Sequence, residues 1–190
     1  MPRNNDHDAQ WERFRSGEAS ALGAIYDQHV RALYGYGHKL TTDRALVEDS
    51  IQDVFGELWK RRKRISPTTS VKFYLLGALR RKIVRELKKQ RATLPLEKAI
   101  HVSHTVQDHL SDEQAHALRK ALTQLGPRQQ EAIYLRFYNR LTNDEIAELM
   151  EIDKRTVYNL VSQALARLNE RLKPVLHHLL GWLTLLLTAS

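Results

Sequence analysis

Apolar residues recur at spacings of three and four along most of this 190-residue chain. No stretch alternates as a half-buried strand does, so the pattern predicts helices throughout. Trp11, Phe14, Leu22, Ile25, Tyr26, Val30 and Leu33 predict two helices on either side of Gly17. Residues 41–44 break the pattern with a capping signal. The next helix spans about 45–62, with Val47, Ile51, Val54, Phe55 and Leu58 on one face. A loop at 66–70 containing Pro67 precedes a helix over about 71–90, whose apolar set is Phe73, Leu76, Leu79, Ile83, Val84 and Leu87. Residues 91–111 are weakly periodic, with Pro95 and scattered histidines, and read as a linker. Periodicity resumes near Asp112. Leu118, Ala121, Leu122 and Leu125 lead into GPRQQ, where Gly126 ends one helix and Pro127 opens another, marked by Ala132, Ile133, Leu135, Phe137 and Tyr138. The expected fold is all-α, with two small helical domains joined by a flexible linker. The expected boundaries are 8–90, 91–111 and 112–173, followed by an apolar tail at 174–190.

Residues 141–168, LTNDEIAELMEIDKRTVYNLVSQALARL, carry the most specific signal. Thr142 with Glu145 three residues on is a capping box. Ile146, Ala147 and Met150 point inward, and Ala147 is small where two helices would cross. Glu151, Ile152 and Asp153 make a turn, with Ile152 plugging the corner and Asp153 capping a helix that begins at Lys154. Val157, Leu160, Ala164 and Leu168 bury one side of that helix. Lys154, Arg155, Thr156, Tyr158, Asn159, Ser162 and Gln163 are left on or near the other. Such side chains suit base edges and phosphates: Arg for guanine, Asn or Gln for adenine, Thr for a thymine methyl. The conjunction predicts a helix-turn-helix, against the simpler reading of an ordinary helical hairpin. Glu151 stands where glycine is often found, and a positive φ there carries a modest strain.

Charge sharpens the division of labour. The net charge is +8, with a sequence pI near 9.8, which favours a polyanionic partner. Residues 8–58 carry nine acidic and five basic groups, whereas residues 60–91 carry thirteen basic groups and only Glu86 as an acid. The basic helix begins with Phe73 and Tyr74 and continues with Arg80, Arg81, Lys82, Arg85, Lys88 and Lys89. Aromatics beside a cationic stripe suit single-stranded or melted DNA, because bases stack on rings while cations track phosphates. The helix before it, EDSIQDVFGELW, sets a polar strip of Glu48, Asp49, Gln52 and Asp53 beside an apolar strip of Ile51, Phe55 and Trp59. That arrangement fits docking to a protein. For both helices the bland alternative is a solvated face.

With these residues in view, the chain resembles the bacterial RNA polymerase sigma factors of the sigma-70 family, extracytoplasmic-function (ECF) subfamily, over roughly residues 14–172. VEDSIQDVFGELWKRR resembles region 2.2, VKFYLLGALRRKIVRELKKQ regions 2.3 and 2.4, and the stretch from ALTQLGPRQQ to LARLNERL region 4. The resemblance implies that Asp49, Gln52, Asp53 and Phe55 face the β′ subunit of core polymerase. It implies that the basic helix opens and reads the −10 element, with Tyr74 in the place of a common aromatic and Arg81 where asparagine is frequent. It implies that the helix-turn-helix reads the −35 element. The linker would pass through polymerase, and β is a further expected partner. Anti-sigma proteins often hold members inactive, and any membrane association is expected only through such a partner.

Other chemistry finds little support in the sequence. The absence of cysteine excludes disulfides, thiolate metal sites and cysteine nucleophiles, and suits a reducing cytoplasm. His101, His104 and His109 lack the spacing and neighbouring carboxylates of a metal site. No triad or Gly-rich phosphate loop occurs, so neither cofactor nor enzymatic activity is expected. The N-terminus has no apolar leader. The last sixteen residues are strongly apolar but fall short of the roughly 20 that a spanning helix needs. They fit a helix packed on the second domain, an inhibitor-docking site, self-association or interfacial contact with a membrane. The main functional rival is a stand-alone regulator with a C-terminal helix-turn-helix.

Overall fold

The computed structural model describes residues 5–65, 70–91 and 112–188, with side chains described over 9–65, 70–90 and 116–172. Among the described residues every regular element is helical. The chain divides into two compact units, Met1–Ala99 and Ile100–Ser190.

The first unit contains α1 (Asn5–Ser16), α2 (Ala19–Leu40), α3 (Arg44–Arg61) and α4 (Val71–Arg91), with one 3₁₀ turn at Arg62–Arg64. Gly17, at φ 101°, turns the chain between α1 and α2. The predicted break after α2 forms as expected: Asp43 caps α3, its Oδ1 accepting from Leu46 N–H at 3.0 Å. Ser70 plays the same part for α4, where its Oγ accepts from Phe73 N–H at 3.2 Å. Helices α2, α3 and α4 pack against one another and α1 lies on α2. Their core holds Trp11, Phe14, Ile25, Leu33, Tyr36, Val47, Ile51, Leu58, Leu75, Leu76, Leu79 and Ile83. Burying each such side chain contributes about 1.5–3 kcal/mol. The α4 face is rotated from the one that periodicity predicts. Leu75 is fully buried, while Phe73, Val84 and Leu87 are only half-buried.

The second unit contains α5 (Asp112–Thr123), α6 (Pro127–Ile133), a π turn at Tyr134–Tyr138, α7 (Asn143–Met150) and α8 (Lys154–Thr188). Pro127 occupies the first turn of α6, where its missing N–H costs nothing. Helices α5, α6 and α7 all pack on α8. Ala121, Leu125, Ile133, Ala164 and Leu168 form one buried cluster, flanked by Leu122, Val161 and Leu172. Residues 174–188 continue α8 without a break, across Pro174. No described helix is long and apolar enough to cross a membrane. The expected linker at 91–111, with His101, His104 and His109, lies beyond Arg91 outside the described residues, as does most of the loop at 66–70.

Candidate nucleic-acid and protein interfaces

The helix-turn-helix is fixed by reciprocal local bonds. Thr142 Oγ1 accepts from Glu145 N–H at 3.2 Å, and Glu145 Oε2 accepts from Thr142 N–H at 2.8 Å. Helix α7 ends in a Schellman arrangement, with Ile152 N–H donating to Ala147 C=O at 3.0 Å. This requires Glu151 to adopt φ 56° and ψ 48°, the left-handed conformation. Asp153 then caps α8, its Oδ1 accepting from Thr156 N–H at 2.8 Å. Hydrogen bonds from the Thr156 hydroxyl and backbone hold the Asp153 carboxyl below its ordinary range. Because that pKa is depressed, the cap is intact at neutral pH and is lost only as pH falls below the ordinary carboxylate range. Ile146 and Val157 are fully buried where α7 meets α8.

A left-handed L-residue costs about 1–2 kcal/mol, and glycine there avoids most of it at some cost in chain entropy. Glu151→Gly is therefore expected to stabilise the second unit by about 0.5–1 kcal/mol. A thermal melt of the full chain checks this; a lowered midpoint would mean that the Glu151 side chain contributes more than its backbone costs.

The caps present one exposed surface. Arg155, Tyr158, Asn159, Ser162 and Gln163 are all exposed, Tyr158 by 65%. Thr156 is half-buried and engaged by Asp153, and Lys154 Nζ pairs with Asp144 across the turn at 2.9 Å. Those two therefore hold the motif as much as they face outward. Gln163 meets Gln129 of α6, which also accepts from Arg167. This network joins residues 34 and 38 positions apart and left no local mark in the sequence.

On α4, Arg81, Arg85 and Lys88 are exposed and Arg80 is half-buried. Tyr74 is half-buried, set edge-on to Trp11 with ring centroids 6.1 Å apart. Phe73, also half-buried, begins the same helix. Tyr74, Arg81, Lys82 and Arg85 line a cleft of about 220 Å³ together with Glu57 and Arg61 of α3, above Val54 and Leu58. Arg61 is absent from the sequence-derived set because it belongs to the preceding helix. Lys82 is largely buried and pairs with Asp53, with Glu57 at 4.0 Å.

The α3 strip is narrower than expected. Asp49, Gln52 and Asp53 are exposed, and Glu48 is half-buried in an ion pair with Arg44 at 2.8 Å. Phe55 is the correction. It is only 7% exposed and belongs to the core, its ring meeting that of Tyr26 edge-on at 5.0 Å. Ile51 is likewise buried. Trp59 is half-buried, beneath the Arg62 guanidinium at 4.2 Å. The strip is thus polar, with Phe55 and Ile51 supporting it from below. No cluster of metal-ligating side chains occurs among the described residues.

Comparison with known proteins places these surfaces in a family context. A family model described as Sigma-70 region 2 matches residues 25–93, and one described as Sigma-70, region 4 matches residues 115–168. The chain is similar to the ECF RNA polymerase sigma factor SigK of Mycolicibacterium vanbaalenii, with 27% identity over 158 residues, 79% of this chain and 81% of the relative. It is similar to SigL of Mycobacterium tuberculosis, with 26% identity, covering 80% and 89%. Among solved structures, the sigma factor RpoE of Bartonella quintana, in complex with the anti-sigma factor NepR, shares the fold. Its TM-score is 0.59 at 24% identity, covering 82% of this chain and 96% of that one.

Proposed function

Because the chain belongs to the RNA polymerase sigma-70 family, in its ECF subfamily, and is thereby a polymerase-binding initiation factor, we propose how its surfaces divide the work. Asp49, Gln52 and Asp53 on α3 meet core polymerase. The cleft between α3 and α4 holds melted −10 DNA, with Tyr74 offering a ring to a base and Arg81, Arg85 and Lys88 following phosphates. Arg155, Tyr158, Asn159, Ser162 and Gln163 enter the major groove at the −35 element. The observation that carries this reading is the capped start of α8. Two caps and a left-handed turn hold a row of polar side chains clear of the core, in a form that a helical hairpin does not need.

Catalysis on this account belongs to polymerase. The chain recruits the polymerase and fixes its register, and electrostatic attraction by the basic helix assists melting by favouring the exposed strand. We also propose an anti-sigma partner, by analogy with the complex of the Bartonella protein, and action in the cytoplasm.

The strip on α3 gives the direct test of polymerase binding. Asp49→Ala with Gln52→Ala removes two exposed groups that make no side-chain hydrogen bond or ion pair among the described residues. The double variant is expected to melt like the wild type but to bind purified core about tenfold more weakly, since truncating two useful interface groups costs about 1.4 kcal/mol or more. Unchanged affinity in a competition assay against another sigma factor would remove α3 from the interface.

A further inference from the structure

We propose that Lys82 is a further ligand for phosphates of the melted strand, and that Asp53 withholds it until polymerase claims the Asp53 carboxylate. The inference rests on the reading of the α3–α4 cleft as the −10 site and of α3 as the polymerase-facing helix. Lys82 stands apart from the cations beside it on α4. Its side chain is only 16% exposed, whereas Arg81 and Arg85 are exposed. Its ammonium reaches across to α3, where it pairs with Asp53 and lies 4.0 Å from Glu57 Oε1. Both carboxylates are more than half exposed. The stem of Lys82 is therefore covered while its charged head lies at the rim of the unit. Lys82 lines the same cleft as Tyr74, Arg61, Arg81 and Arg85. A phosphate entering there meets guanidinium groups first, and an ammonium whose charge α3 already balances.

The two roles of Asp53 compete. Asp53 lies one turn from Asp49 on the exposed strip, which suits a basic surface on the partner. A partner cation at Asp53 loosens its hold on Lys82. Glu57, at 4.0 Å, is beyond hydrogen-bond distance and does not replace it. The released ammonium then takes a phosphate oxygen from the strand in the cleft. An ion pair with so exposed a carboxylate is worth little, so the exchange is easy. By linkage it runs both ways: a strand held by Lys82 frees Asp53 for polymerase, and each ligand strengthens the other by the same factor.

The first test measures binding of the full chain to an oligodeoxythymidine about 12 nucleotides long, which probes phosphate and stacking contacts without promoter sequence. Wild type, Asp53→Asn, Lys82→Met and the double variant form a cycle. Asp53→Asn keeps the shape of its side chain, and Lys82→Met keeps a long apolar stem without the charge. Were the pair to act on DNA only through its field, the two effects would add. Competition for Lys82 makes them depart from additivity. Lys82→Met is expected to cost about two- to tenfold more in the Asp53→Asn background than in wild type, as for one hydrogen bond. Asp53→Asn is also expected to steepen the fall of log affinity with log salt by about 0.7, as for one added phosphate on a single strand.

The second test repeats the cycle with the chain saturated by core polymerase. Its probe is a promoter duplex, drawn from fragments that the two transcribe together and held open by mismatches over the downstream element. With Asp53 already claimed, the cycle is expected to become additive, and Lys82→Met to cost about two- to tenfold in either background. Additive effects in the free chain would overturn the proposal. So would the same departure from additivity on polymerase, or a holoenzyme indifferent to Lys82→Met. Should Lys82→Met melt early, an Asp53→Asn salt slope equal to that of wild type overturns it alone. Arg81→Ala and Arg85→Ala are run alongside. If they too leave oligonucleotide binding untouched, the reading of the cleft itself fails; if they weaken it, only this inference falls.

Discussion

Polymerase reconstituted with the Asn159→Ala or Arg155→Ala variant is expected to bind its preferred upstream element about 5- to 150-fold more weakly than with the wild-type chain. A good bidentate base contact is worth about 1–3 kcal/mol of discrimination, and Asn and Arg are the residues that make such contacts to adenine and guanine. Both side chains are exposed in the first two turns of α8 and take no part in its caps. Their removal should leave the thermal midpoint unchanged. The loss should also depend on sequence: on a scrambled upstream element, variants and wild type should bind alike. Lys154 makes the contrast, because its ammonium already pairs with Asp144. An exposed ion pair of that kind is worth little, so Lys154→Ala should have a small effect that is uniform over sequences. Equal weakening by Asn159→Ala on every sequence would mean that α8 follows the backbone without reading bases.

Gly37→Ala is expected to destabilise the first unit by about 1–2 kcal/mol, which lowers its midpoint by roughly 4–15 °C for a domain of this size. A Cβ at position 37 would stand 2.5 Å from Val47 Cγ1 and 3.1 Å from Cγ2. Val47 is fully buried in the first turns of α3, so it has little room to yield. Overpacking of this kind costs about 1–3 kcal/mol, offset by up to about 1 kcal/mol of added helix propensity. Shortening the opposing side chain with Val47→Ala should recover part of the loss in the double variant. Helix α3 also carries Asp49, Gln52 and Asp53, so Gly37→Ala should weaken core binding without touching that surface. A midpoint within about 1 °C of wild type would mean that α2 and α3 can separate without penalty.

Much of this organisation was readable where it rests on neighbours in sequence. The capping box of Thr142 and Glu145, the Asp153 cap, the Pro127 start and the Asp43 break each involve residues within four positions. Local chemistry alone specifies them. The strain at Glu151 was legible for the same reason, since the turn geometry leaves only a left-handed conformation there. Other features depend on packing between helices, which spacing does not encode. Phe55 reads as the apolar edge of a docking strip, but Tyr26 of α2 covers it. Leu75 replaces Phe73 in the core because α4 meets two other helices rather than one. The Asp53–Lys82 pair joins an exposed carboxylate of α3 to the basic helix, and the Gln129 network joins α6 to α8. Both depend on tertiary approach. Left-handed Arg140, at φ 59°, likewise had no announcing residue.

The central claim is that one chain both docks on polymerase and selects a promoter. Transcription in vitro with purified core polymerase, the chain and a library of promoter fragments tests it most directly. The account predicts transcripts that begin at defined positions, require the chain, share one upstream and one downstream element, and lose the upstream preference with Asn159→Ala. It would be contradicted if core polymerase gained no promoter-specific starts from the chain while the chain alone bound duplex DNA tightly.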